Sequence, residues 1–274
     1  MTTMDIDHDR TVDAVPAGGR TGGREIEVTL PVGYLDDQGR MHRRVTLRKM
    51  TGRDEALLAD PANQRNGGRL VTSLLHSCVT GLGELSPVKR SDIESMYSVD
   101  RNFLLIRLRS FTFGPELPAG YTCPACAERF EQLEDLDSLP VRALPGEEPP
   151  EDIVVELVDG YLDRDGSVHT ALTLRMARGD DETAAAPQMR KNASLGKNAL
   201  LARCLRSLGD VPRHRLEALG SRILADLTLT DRRLIDRAFT ENAPGIDLIR
   251  VLDCPACGHE LRATLDLTNF LAMD

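Results

Sequence analysis

One stretch of this chain occurs twice, and that repetition limits what the chain can fold into more than any other feature. Arg24 to Met50 aligns with Glu151 to Ala177 without a gap. Ile26, Val28 and Leu30 stand against Ile153, Val155 and Leu157, and Gly33-Tyr34-Leu35-Asp36 against Gly160-Tyr161-Leu162-Asp163. Gly39 stands against Gly166, His42 against His169, and Thr46-Leu47-Arg48 against Thr173-Leu174-Arg175. With short gaps the match runs on. Leu74 to Leu85 aligns with Leu200 to Val211, which sets Cys78 against Cys204. Asp100-Arg101 aligns with Asp231-Arg232, and Cys123-Pro124-Ala125-Cys126 with Cys254-Pro255-Ala256-Cys257. Shared features in one order at a fixed period mark an internal repeat. The expectation is an α+β fold made by tandem duplication of one module, the two copies related by pseudo-two-fold symmetry.

The pattern inside a module is legible. Ile26, Val28 and Leu30 alternate with Glu25, Glu27 and Thr29, the period of a half-buried strand. Asp37-Gln38-Gly39 and Arg164-Asp165-Gly166 supply turn residues, so each module is predicted to open with a β-hairpin. Leu70, Leu74, Leu75, Cys78 and Leu82 recur at helical spacing, as do Leu200, Leu201, Cys204, Leu205 and Leu208. Gly83 and Gly209 are read as glycines ending those helices. Asp100 and Asp231 sit in the first turn of a later helix, where acids suit the dipole. That helix carries Phe103, Leu104 and Leu108 in one copy and Leu234, Ile235 and Phe239 in the other. A short β-turn-β around each cysteine pair closes the module. Arg48 and Arg175 end the second strand and are expected to pair with a carboxylate, with Asp36, Asp163, Asp100 and Asp231 as candidates. The predicted organisation is an arm over residues 1–23 without order of its own, a first module over 24–139, a Pro-rich acidic linker over 140–150 and a second module over 151–274.

Composition narrows the function. The chain has 274 residues, 41% of them hydrophobic but only 4% aromatic, so its cores must rest on Leu, Val, Ile and Ala. A net charge of −9 works against phosphate backbones. No apolar run reaches the roughly 18 residues of a membrane span, and the first residues lack the apolar stretch of a signal peptide. These features point to the cytoplasm, where cysteines more often ligate metals or lie buried than form disulfides. No phosphate-binding glycine loop, Ser/His/Asp order or distinctive carboxylate pair is present.

The two Cys-Pro-Ala-Cys turns carry the chemistry. Two thiolates on one tight turn can reach one tetrahedral ion at about 2.3 Å. Proline stiffens the turn, and Gly258 after Cys257 lets backbone N–H groups approach sulfur, where the first copy has Ala127. One turn supplies two ligands and structural zinc takes four. The expectation is a closed Zn(Cys)4 site of Cys123, Cys126, Cys254 and Cys257, about one Zn2+ per chain. A redox Cys-x-x-Cys would sit at a strand-to-helix boundary, which neither turn does. His259 has no counterpart, since Arg129 takes its place, and is a poor ligand candidate. Cys78 and Cys204 read as core residues. His42 and His169 read as structural or exposed, not catalytic.

The order hairpin, apolar helix, a helix opening Leu229-Thr230-Asp231-Arg232-Arg233-Leu234-Ile235, then Cys254-Pro255-Ala256-Cys257-Gly258 resembles the baseplate hub or hub-assembly protein family of T-even-type contractile phage tails, which has relatives in bacterial contractile injection systems. Ser98-Val99-Asp100-Arg101 with Cys123-Pro124-Ala125-Cys126 carries the likeness in the first copy. It implies a non-enzymatic structural or assembly protein of the bacterial cytoplasm or of an assembled particle. Its partners would be other baseplate, tube or spike proteins. The alternative is a zinc-ribbon regulatory module binding nucleic acid or protein, of which the charge disfavours nucleic acid.

Overall fold

The computed structural model describes residues 20–266 except 22, 147 and 242. The expected arm over 1–23 therefore lies outside the described residues apart from 20, 21 and 23. The fold mixes helix and strand. Four antiparallel strands, β1 (Arg20–Thr21), β2 (Glu25–Leu35), β3 (Met41–Arg48) and β4 (Val79–Leu82), form a sheet in that order. Between β3 and β4 run α1 (Gly52–Ala59), α2 (Pro61–Gln64) and α3 (Gly67–Cys78). Next come α4 (Arg90–Ser95) and α5 (Ser98–Phe113), then a hairpin of β5 (Glu116–Thr122) and β6 (Arg129–Asp135), and β7 (Val141–Arg142). A three-stranded sheet follows, ordered β10-β9-β8, from β8 (Ile153–Leu162), β9 (Val168–Leu174) and β10 (Leu205–Leu208). α6 (Gly179–Lys191) and α7 (Ala193–Cys204) precede β10, and α8 (Arg213–Asp226) and α9 (Leu229–Thr240) follow it. The described chain closes with β11 (Gly245–Ile246) and the hairpin of β12 (Ile249–Asp253) and β13 (Glu260–Thr264).

The alternation read in the sequence sets the sheet register. Val28 lies against Val45 and Ile26 against Leu47, which turns Val28, Leu30, Val45 and Leu47 onto a core with Leu74, Leu75, Cys78, Phe103, Leu104 and Leu108. In the other sheet Ile153 lies against Leu174 and Val155 against Leu172, over a core with Leu201, Cys204, Leu224 and Ile235. Burying one large aliphatic side chain contributes about 1.5–3 kcal/mol, so these cores stabilise the chain without tryptophan.

Both long hairpins lose register at one place, between Thr29 and Tyr34 and between Glu156 and Tyr161. There Gly33 and Gly160 take positive φ, +112° and +74°. The N–H groups freed by the break are caught by the acid in the first turn of a helix. Asp100 accepts from Val32 at 2.9 Å and Gly33 at 2.8 Å. Asp231 accepts from Val158 at 2.7 Å, Asp159 at 3.3 Å and Gly160 at 2.9 Å. A first-turn acid thus serves both its own helix dipole and a strand that cannot pair.

Three sequence expectations are corrected. The helices end at Cys78 and Cys204, so Leu82 and Leu208 lie on strands, and Leu205 does too. Gly83 and Gly209 follow those strands with φ of +56° and +46°, and a Cβ there would strike the His42 and His169 rings. Those histidines are buried, with Nε2 at 2.9 Å from Asp36 and 3.2 Å from Asp163. Asp36 and Asp163 are thereby occupied, and so are Asp100 and Asp231. The partners of Arg48 and Arg175 are instead Asp54 and Asp181, each held by two hydrogen bonds of 2.6–2.9 Å. Both acids also accept the backbone N–H three residues earlier, of Thr51 and Arg178, as capping acids do.

The two halves of the described chain interlock. Arg101 is fully buried and donates to the carbonyls of Ile93 and Gly68, to Thr72, and across the boundary to Glu182. Its counterpart Arg232 donates to Leu224 O and Asn198 within its own half. Gly68 and Gly179 allow the approach, since a Cβ would meet Thr183 N at 2.5 Å and the Arg101 guanidinium at 2.4 Å. Residues 140–150, the expected linker, contain β7, which pairs with β11 of the far half.

Removing the Asp100 carboxylate leaves two buried N–H groups without a partner, at about 1–3 kcal/mol each. Asp100→Ala is expected to lower unfolding free energy by about 3 kcal/mol or more in urea titration, while Asp37→Ala on the exposed turn shifts it little. Burial alone would raise Asp54 and Asp181, but the guanidinium bonds together with the other hydrogen bonds each acid accepts hold both below the ordinary value of 3.8. Their contribution is complete above that value and is lost as pH falls through the lowered ones. Thermal midpoints are expected to drop below about pH 4, where free carboxylates titrate. The drop should be shallower in Arg48→Met, and an unchanged slope there would remove the ion pair as its source.

Candidate metal centre

Each cysteine turn is closed by its own backbone before any sulfur is considered. Cys123 N donates to Glu128 O at 2.8 Å and Ala127 N to Cys123 O at 2.9 Å. In the second turn Cys254 N donates to His259 O at 3.0 Å and Gly258 N to Cys254 O at 2.9 Å. The residue after the second cysteine must take positive φ to complete this loop. Gly258 does so at +68°, and Ala127 does so at +61° in spite of its Cβ. The flanking hairpins pair without a break, β5 with β6 and β12 with β13.

The hairpins pack on each other from opposite halves of the chain. Ile106, Leu117, Tyr121, Leu136, Leu139 and Leu265 form one small core, joined by the half-buried Leu248 and Leu252. Buried Glu134 receives Arg250 Nε at 2.7 Å across the boundary and the Tyr121 hydroxyl at 2.8 Å. Asp247 N donates to Pro140 O at 2.8 Å. Beneath the turns Leu261 packs on Cys123 and Cys254.

This packing brings the four sulfurs together. The Sγ atoms of Cys123, Cys126, Cys254 and Cys257 all lie within 4.8 Å of one another. Cys123 Sγ is 3.8 Å from Cys257 Sγ, and Cys126 Sγ is 3.7 Å from Cys254 Sγ. A tetrahedron of sulfurs about 2.3 Å from its centre has edges of about 3.8 Å, so the donor set fits one tetrahedral metal ion. Cys123 and Cys254 are buried, and Cys126 and Cys257 face solvent. His259 is outside the group, and Cys78 and Cys204 lie in the two main cores.

The protons of the cluster make the same point. Burial would raise the Cys123 thiol, but N–H donors of Cys126 and Ala125 and the neighbouring thiols bring it down to about 6. The N–H of Glu128 favours a Cys126 thiolate, yet the facing Cys257, burial and the other thiols push Cys126 up to about 12. Cys257 is also raised, against the pull of the His259 N–H. One thiolate forms readily, and those of Cys126 and Cys257 are resisted by their neighbours. Four together require a cation among them.

A family model for the T4 bacteriophage base plate protein matches residues 24–272. The chain belongs to that base plate family. No curated protein and no solved structure matches the chain significantly. The match spans nearly the whole length, including both cysteine turns. No helix among the described residues is long and apolar enough to cross a membrane.

Sequence reasoning placed the four cysteines but not their supports. Glu134 and Arg250 stand at unmatched positions and carry no motif, and β7 lies in a stretch whose prolines read as linker. Asp54 and Asp181 could have been found, since each stands three residues after a strand-to-helix junction. Positive φ costs an alanine roughly 1–2 kcal/mol relative to glycine. Ala127→Gly is therefore expected to raise the chelator concentration needed to unfold the protein, and Gly258→Ala to lower it. Equal responses would mean that the turns do not control the cluster.

Proposed function

We propose that this protein is a non-enzymatic structural or assembly component of a contractile, phage-tail-like base plate, of the kind used by injection systems, and that one Zn(Cys)4 site clasps its two halves. The observation that carries the reading is the reciprocal cysteine set. The first cysteine of each turn faces the second cysteine of the other, as a two-fold axis between two copies requires. The recurrence of Asp100 and Asp231 under equivalent strand breaks supports a tandem duplication, with modules over 24–139 and 151–274 joined by 140–150. Cys123, Cys126, Cys254 and Cys257 would be the ligands. A zinc ion with four thiolates has no open position for substrate, and its binding free energy becomes folding free energy.

In such a machine the chain would contact other base plate, tube or spike components, in the bacterial cytoplasm or within the particle. Membership of the base plate family supports this. A metal clasp suits a part that must keep its shape under contraction, because it joins segments that hydrophobic contact alone holds less firmly.

Protein purified without added metal is expected to contain about one zinc per chain by elemental mass spectrometry. Two ions per chain, or a folded metal-free protein, would contradict the shared site. Cys126→Ser should lose the metal and unfold at lower temperature, whereas Cys204→Ser should keep it and lose roughly 1–3 kcal/mol for a buried hydroxyl. Deleting the gene should leave particles without a complete base plate. Normal particles lacking the protein would refute the assembly role.

A further inference from the structure

The two sheets differ at their outer edges. In the first, β2 is covered: β1 pairs with it through Arg20 and Thr21, and Leu144 N donates to Pro31 O at 2.8 Å. In the second, β8 is the edge, and among the described residues no strand pairs with it on the side away from β9. Asp231 takes the N–H groups of Val158, Asp159 and Gly160, which leaves the run Ile153–Leu157 open.

The side chains there are apolar and exposed, where the matching positions of the first sheet are charged or more covered. Val154 is 71% and Val158 70% exposed, and the cross-strand pair Leu162 and Val168 lies beyond them, also exposed. The matching positions on β2 are Glu27, exposed, and Pro31, buried. At the head of β8 a groove of about 520 Å³ opens, lined by Ile153, Met176, Ala238 and Phe239 with Pro149 and Pro244. An open strand edge beside exposed valines is a template for another strand, and chains that leave one unprotected aggregate unless it has an occupant.

Charge selects the occupant. Glu148 and Glu151 rim the groove, Glu241 there is paired with Arg237, and exposed Glu156 stands between Val154 and Val158 with no ion pair among the described residues. In antiparallel pairing of β8 with a second copy of itself centred on Glu156, the two Glu156 carboxylates would oppose each other, which destabilises that ladder. A basic strand meets no such cost. Resting on the base plate reading, we propose that the β8 edge receives an extended segment of another base plate component, with apolar residues alternating with Lys or Arg. Main-chain bonds along Ile153–Leu157 give the affinity; the apolar residues of the added strand fall on the side of the groove by Ile153 and Phe239, and its Lys or Arg on the opposite face, where Glu156 stands between Val154 and Val158.

The probe is a labelled ten-residue peptide of alternating Val and Lys, compared with Val–Glu and Gly–Lys peptides and titrated against the full chain by fluorescence anisotropy and amide exchange. The Val–Lys peptide is expected to bind saturably and to slow exchange over Ile153–Leu157. The Val–Glu and Gly–Lys peptides should bind at least tenfold more weakly. Val154→Lys with Val158→Lys should cost at least tenfold, and Glu156→Lys should shift preference towards Val–Glu. Equal binding of Gly–Lys, protection confined to β10, or dimerisation through β8 without peptide would overturn the proposal. Failure here would leave incorporation into particles untouched, whereas absence from particles would refute the base plate reading without changing peptide binding.

Discussion

Four sulfur atoms from turns 128 and 134 positions apart in sequence converge within 4.8 Å. Thiolates that close repel one another, and thiols that close gain little. The arrangement makes physical sense around a cation, and the rest of the structure is disposed so that the sulfurs meet. Each turn is fixed by its own backbone bonds, and each hairpin is held to the other by the Glu134–Arg250 pair and a core of Leu, Ile and Tyr. The metal would add a cross-link where apolar area is small, since a short two-stranded hairpin is marginal alone.

The hairpins depend in turn on what holds the larger sheets. Asp100 and Asp231 each close a strand break from the first turn of a helix, so sheet and helix are locked in angle as well as in contact. Arg101 then ties the first half to Glu182 in the second. Arg232, at the matching position, stays within its own half, so the same residue type in a like motif holds one half in one place and joins the two halves in the other.

Much of this was legible in the sequence, for identifiable reasons. Strand alternation, the hairpin glycines and the cysteine turns are local signals, and a repeat doubles each of them. The helix ends were misplaced because Leu82 and Leu208 keep helical spacing after the helix has stopped, and spacing cannot distinguish a last turn from a short strand. The Arg48 and Arg175 partners were missed because Asp36 and Asp163 looked nearer along the hairpin. Those acids serve His42 and His169, which pack against Gly83 and Gly209. Arg101–Glu182 and Arg250–Glu134 join distant segments; Arg101 has a counterpart in Arg232 but not the same partners, and no periodicity announces such pairs.

The base plate family match covers both halves, and β8 is an edge strand among the described residues. The central claim, that one zinc ion joins the halves through four sulfurs, is tested most directly by X-ray absorption at the zinc edge on the purified full chain. The account requires a single shell of four sulfurs at about 2.3 Å and no nitrogen or oxygen. A mixed shell with nitrogen or oxygen, which would put each turn on its own ion with other ligands, would contradict it.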